Sequence, residues 1–381
     1  MSRVVVLLIL SLVLFLFVND AGAYIYALPY YIHQQYSYPE KFVGQGKVIG
    51  YINRCHGKSA AVCDNRIYSK ALGQYRSLYV YLPPGYSMNS EPYPVIIALH
   101  GFGSDHRAAA NILPPLVEEA ILNGEMPPVV IISPDFSIGG TGIDDATTLF
   151  DETTGSFYIN SNVGSFEDYF VDDLVPWIGK EFNVSLEPDK VVLFGQSMGG
   201  FGAFSIGLRH PNISTVLVGI YPSVDTRYSC NGDVLQDFDP GCYVPLTEEI
   251  PSRKMMKMLG GLVDQSEEEL LYTVFNSDNI PGSVWKENLP LWERVREYNP
   301  TDILRDERYG DISRTRIYLV AGDEDAYNND AKVLSFIKEA TKHGLTVNPI
   351  QPIKEGGHHT TNFVVAQIPT ILLWLNDLWN K

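Results

Sequence analysis

"VVLFGQSMGGFGAFSIGLRHP", residues 191–211, decides the fold. Val191 to Phe194 form a short apolar run bounded by Lys190 and Gly195, which suits a strand buried on both faces of a parallel sheet. Met198 to His210 read as a helix packed close to its neighbours, because Gly199, Gly200 and Gly202 carry no Cβ to obstruct a tight turn. Between the two, Gly195-Gln196-Ser197-Met198-Gly199 fits G-x-S-x-G, the sharp turn that ends a strand, lifts a serine into a cleft and starts a helix. The bare pattern is weak: with 32 glycines in 381 residues, a shuffled chain would contain one about one time in five. Its position between a strand and a helix, and the partners downstream, give it weight.

The chain begins "MSRVVVLLILSLVLFLFVNDAGAY". Arg3, the apolar core Val4 to Val18 and the small triplet Ala21-Gly22-Ala23 predict an export signal over residues 1–23, cleaved after Ala23. The apolar core is shorter than the ~20 residues of a membrane span. After cleavage no stable membrane span is expected, and the mature protein is expected to be secreted or periplasmic/extracellular. A formal net charge of −17 repels phosphates and argues against a nucleic-acid partner. The four cysteines fall into two local pairs, Cys55 with Cys63 and Cys230 with Cys242, read as disulfides of an exported protein, with free buried thiols as the alternative. Neither pair has C-x₂-C spacing, so no metal site is expected there. Asn183-Val-Ser and Asn212-Ile-Ser are glycosylation sequons.

Residues 24–381 read as one α/β domain. Strands are expected at 76–86, 93–99, 127–135, 191–194, 215–223, 316–322 and 346–353, and helices at 165–182, 198–210, 329–343 and after the stretch 355–363. In the first of these helices Phe166, Tyr169, Phe170, Leu174 and Ile178 fall on the core side. Such alternation implies a mainly parallel central sheet flanked by helices, with the active site at the strands' C-terminal ends. A long segment, about 224–310, interrupts it as a candidate cap or, equally, a packed accessory layer, rich in Met255, Met256, Met258, Trp285 and Trp292.

Ester cleavage by a serine needs a base for the hydroxyl proton and a carboxylate that fixes the imidazole tautomer and stabilises its cation. Downstream of Ser197, Asp325 and then His358 give the order Ser…Asp…His. The loop His100-Gly101-Phe102-Gly103 follows an early strand, so the N–H of Phe102 and that of Met198, next after the nucleophile, are the expected oxyanion donors. His100 is expected to support that loop. His358 is preferred over its neighbour His359 as base, and Asp325 over Asp323 and Glu324 as acid. The same acidic and histidine cluster could be read as metal ligands, but no H-E-x-x-H spacing supports that reading.

"LPPGY", "PVIIALHGFG", "FEDYFVDDLVPWI", "GQSMGGFGA", "GDEDAYNND" and "GGHHTTNF" together resemble the putative-esterase family of α/β hydrolases, the group of esterase D, feruloyl and enterochelin esterases and mycolyltransferases. The resemblance covers roughly residues 70 to 378. It implies the α/β-hydrolase fold, an acyl-enzyme mechanism without metal or organic cofactor, an acid at Asp325 after Gly322 and a base at His358 after Gly357. The substrate is then a small-molecule or carbohydrate-linked ester. Acyl transfer on the same triad is the alternative activity, and a non-catalytic binding protein on this scaffold is the alternative class.

Overall fold

The computed structural model describes residues 61–140, 155–161, 163–226, 296–307 and 310–380, all within one compact unit, Lys47–Lys381. The signal at 1–23, the side chains of Cys55, Cys63, Cys230 and Cys242, and residues 227–295 of the candidate cap lie outside them.

The chain enters through an antiparallel hairpin, β1 (Ala61–Ser69) and β2 (Gln74–Leu82), in which Tyr68 sits opposite Tyr75. β3 (Val95–Leu99) leads into α1 (Arg107–Leu122) and β4 (Val130–Pro134) follows. A two-stranded ribbon, β5 (Asn160–Ser161) and β6 (Gly164–Ser165), precedes a helical run made of α2 (Phe166–Asp168), a π-helical turn Tyr169–Leu174 and α3 (Val175–Glu181). Pro176 falls in the first turn of α3, where no amide hydrogen is needed by the helix. Then come β7 (Val191–Gln196), α4 (Met198–Arg209), β8 (Val216–Ile220), α5 (Pro300–Asp306), β9 (Arg316–Gly322) and α6 (Asn329–Lys342). The short β10 (Val347–Asn348) and β11 (Ile353–Lys354) precede α7 (Thr361–Trp379).

Nine strands among the described residues form one sheet in the order β1-β2-β4-β3-β7-β8-β9-β10, with β11 also on β9. From β4 onward every pairing is parallel, whereas β1 with β2 and β2 with β4 are antiparallel. The strands β3, β4 and β8 are buried at every position, as parallel strands covered on both faces must be. Phe166, Tyr169, Phe170, Leu174 and Ile178 are fully buried, as the helical spacing predicts. α4 is buried from Met198 to Leu208, so its small residues serve close packing on all sides.

Three differences from the sequence reading have plain causes. The strand expected over 346–353 is split into β10 and β11, because Pro349 and Pro352 offer no amide hydrogen to a ladder. Both ends of the candidate cap belong to the domain body: α5 packs on α4 and α6, and Thr301 N–H donates to Val224 O at 3.1 Å. The helix α1 was not expected, since Pro114 and Pro115 stand in its middle. None of the described helices is long and apolar enough to cross a membrane.

Candidate active site

Ser197 is the single residue between β7 and α4, and it adopts φ 53°, ψ −122°, a conformation that L residues other than glycine rarely take. Backbone bonds hold it there. Its N–H donates to Ile220 O at 3.1 Å, and its carbonyl accepts from Phe201 N at 3.1 Å and Ser223 N at 3.3 Å. The elbow can pass so close to β3 because Gly199 has no side chain: a Cβ there would overlap the carbonyl of Leu99. Ser197 is half-buried, with Met198 beneath it.

The loop after β3 is fixed from below. The His100 ring is buried, with Nδ1 2.9 Å from Gly101 O and Nε2 accepting from Phe136 N–H at 2.9 Å, so Nδ1 carries the proton and the ring is neutral. Burial pushes its pKa below the usual imidazole value, which fits that tautomer better than an ion pair with Asp135 at 3.8 Å. The Tyr158 hydroxyl donates to His100 O at 2.7 Å. Tyr158 and Phe157 both have positive φ, 60° and 54°, and Phe157 packs edge-on against Phe201 of α4. Deeper still, Arg76 lies 3.7 Å from Asp135, both fully buried. Burial, the largest single influence, would raise the Asp135 carboxyl, but Arg76, the neighbouring imidazoles and the Ser137 hydroxyl together outweigh it and hold the pKa well below the carboxylate range. Phe102 and Met198, the expected oxyanion donors, therefore stand on a braced loop and at the start of a buried helix.

The candidate acid and base lie between β9 and α7. Gly322 ends β9, and a Cβ on it would overlap the backbone of Gly357, so the acid turn and the histidine loop cross in direct contact. Glu324 N–H donates to Gly357 O at 2.9 Å and Asp323 N–H to Lys354 O at 3.1 Å. Asp325 is fully buried. Its Oδ1 accepts from Tyr327 N at 2.8 Å and Asn329 N at 3.3 Å, and its Oδ2 lies 2.8 Å from Nδ1 of His359. Desolvation would raise its pKa, yet His359 and these amides draw it below the usual value, so the carboxylate is charged.

The residue paired with Asp325 is thus His359, whereas the sequence reading favoured His358. Nε2 of His358 faces Glu324 Oε2 at 3.3 Å, and both side chains are partly exposed, at 23% and 34%. The two histidines are consecutive and leave the turn in opposite directions. Thr360, next in the chain, caps α7 by accepting from Phe363 N at 3.3 Å. Ser197, Asp325 and His359 come to the same end of the sheet, although no hydrogen bond joins Ser197 Oγ to the ring in this geometry. Such bonds commonly tighten only when substrate is bound. Among the described residues no three His, Cys, Asp or Glu side chains converge as metal ligands.

A family model described as "Putative esterase" matches residues 69–372, more than half of the chain and all the residues above. An esterase of Mycobacterium tuberculosis is 28% identical over 178 residues, 44% of this chain and 36% of that protein. An endo-1,4-beta-xylanase/feruloyl esterase of Xylanibacter ruminicola is 26% identical over 160 residues, 38% of this chain and 19% of that protein. The matched stretch spans little more than a third of the first of these relatives and less of the second. Among solved structures, an S-formylglutathione hydrolase from Agrobacterium tumefaciens superposes with TM-score 0.57 at 18% identity, over 84% of this chain and 96% of its own. A ferulic acid esterase superposes with TM-score 0.53 at 18% identity, over 84% of this chain and 99% of its own. Both likenesses concern the α/β-hydrolase fold.

Proposed function

This chain belongs to the putative-esterase family, and from that premise we propose that it is an exported serine carboxylic ester hydrolase acting through an acyl-enzyme on Ser197, with His359 as base and Asp325 as its orienting acid. The observation that carries this reading is the buried Asp325 paired with His359 at 2.8 Å, at the same end of the sheet as a serine in a strained strand-to-helix turn. With Nδ1–H committed to Asp325, the Nε2 lone pair is the free end of the imidazole and takes the proton from Ser197 Oγ as that oxygen attacks the ester carbonyl. The oxyanion accepts from the N–H groups of Phe102 and Met198. Collapse breaks the bond to the leaving alcohol, which takes the proton from His359, and water then repeats the sequence on the acyl-serine. Asp325 stays ionised throughout and stabilises the imidazolium at each step.

The substrate is a small-molecule or carbohydrate-linked ester. The carbohydrate-linked form is supported by the xylanase/feruloyl esterase relative, and export by the apolar leader with its small-residue cleavage site. Ser197→Ala is expected to abolish turnover of p-nitrophenyl acetate with the fold intact, and a fluorophosphonate is expected to label Ser197 in the parent protein alone. Turnover retained in the alanine variant would overturn the mechanism.

A further inference from the structure

Tyr221 follows the last residue of β8 with φ 38°, a conformation in which a bulky side chain is strained. The strain is imposed from several directions. Its N–H donates to Val320 O at 2.6 Å, and the flanking Ile220 and Ser223 bond the N–H and carbonyl of Ser197. The backbone that holds the nucleophile is therefore the backbone that carries this tyrosine. Its side chain reaches the other half of the site: the ring lies 4.0 Å from the His359 ring at 34°, and the hydroxyl donates to Thr360 O at 3.2 Å. Phe363 backs the tyrosine ring at 5.8 Å, while Tyr327 meets the His359 ring nearly at right angles, 4.8 Å away. Tyr221 is 4% exposed.

We infer that Tyr221 is a positioning residue for the base: its ring face fixes the plane of the His359 imidazole and stabilises the imidazolium formed when Ser197 gives up its proton. This rests on the reading of His359 as base. A near-stacked aromatic face at this distance attracts a cation through its quadrupole. The other titratable groups around His359 are Asp325 on Nδ1, the Tyr327 phenol, and His358 with Glu324 on the adjoining turn. Asp325 favours the same cation, so the ring adds to a carboxylate already in place. A strained backbone tied to Ser197 and a buried ring against His359 together account for a tyrosine at this junction.

The test compares Tyr221→Phe, which keeps the ring and loses the hydroxyl bond, with Tyr221→Leu, which loses both. Because a leucine could unsettle the fold, Tyr221→pentafluorophenylalanine supplies the same shape with the ring's polarity reversed. The readouts are kcat, KM and the acid limb of the kcat/KM profile on p-nitrophenyl acetate, with His359→Gln measured alongside. The expected result is a profile for Tyr221→Phe within a few tenths of a pH unit of the parent. For the leucine and pentafluorinated variants the acid limb should move down by roughly half to one unit, with kcat reduced and KM unchanged. An unmoved limb in the pentafluorinated variant, with His359→Gln inactive, would overturn the role of Tyr221 and leave the base assignment standing. Activity retained by His359→Gln would overturn the base assignment itself.

Discussion

Replacing Asp325 by asparagine changes one atom and almost no volume, yet the hydrogen bonds around it dictate a large effect. Oδ1 receives two backbone amides, from Tyr327 and Asn329, and Oδ2 receives Nδ1–H of His359. An asparagine keeps one carbonyl oxygen. Two amide donors hold that oxygen in the Oδ1 position, because the reverse orientation would set an NH₂ against two N–H groups in a fully buried site. The new NH₂ then faces Nδ1, which must present its lone pair, and the proton moves to Nε2. The base now aims a proton at Ser197 where it needs a lone pair. The same exchange in a serine protease drops kcat by about 10⁴. A fall on the order of 10²–10⁴, or about 2.7–5.4 kcal/mol of transition-state stabilisation, is expected here with KM nearly constant. Glu324→Gln is the contrast: Glu324 and His358 are both partly exposed at 3.3 Å, a pair of the kind worth about 0–1 kcal/mol, so the loss should stay below tenfold. Initial rates on p-nitrophenyl acetate, normalised to sites counted with a fluorophosphonate, measure both. Asp325→Asn within tenfold of the parent, or a larger loss in Glu324→Gln than in Asp325→Asn, would refute the reasoning.

Two further outcomes follow from the groups beneath the oxyanion loop. Tyr158→Phe strips the donor from the buried carbonyl of His100 and should destabilise the fold by about 1–3 kcal/mol; it should also lower kcat more than it changes KM, and an unchanged melting temperature would contradict the brace. Burial holds His100 and His106 below the usual imidazole value of 6.5, so the unfolded chain takes up protons there before the folded one does. Their contribution to stability is complete above that value and is lost as pH falls below it, and Asp105, Asp135 and Asp325, all lowered from 3.8, lose theirs as pH falls below that. Melting temperature should therefore decline from about pH 7 to 5, and a flat curve over that range would count against the two histidines being buried and neutral.

Local sequence revealed the features whose causes are local. The elbow follows from glycines at fixed offsets around Ser197, and the buried strands β3, β4 and β8 follow from short, mainly apolar runs. Asp325, the carboxylate found 2.8 Å from a histidine, stood out because a side chain three residues past Gly322 has already turned back over the sheet. The choice between His358 and His359 was not legible. What brings His359 rather than His358 to Asp325 is the way the acid turn and the histidine loop cross at Gly322 and Gly357, a contact between segments about thirty-five residues apart. Tyr158 and Tyr221 were invisible for the same reason, since a positive φ in an aromatic residue is imposed by tertiary bonds that no propensity encodes. The hairpin strand β1 carried a usable signal, with Ile67 buried, Tyr68 exposed and a four-residue turn ending in Gly73.

The positive-φ residues around the site also predict how the protein would respond to selection for heat resistance alone. Phe157, Tyr158, Ser197 and Tyr221 each hold a conformation that glycine would adopt freely. Relief of that strain is worth about 1–3 kcal/mol, set against roughly 0.4–1 kcal/mol for the looser unfolded chain. At the three aromatic positions the lost ring outweighs any gain, since deleting a buried aromatic side chain removes about 3–5 kcal/mol. Ser197 has no such payload: its side chain is small, half-buried and makes no hydrogen bond. With Ser197 as the proposed nucleophile, it alone among these four residues sets durability against activity, so a library screened for thermal tolerance without an ester in the assay should enrich glycine at position 197 and return sturdier, inert proteins.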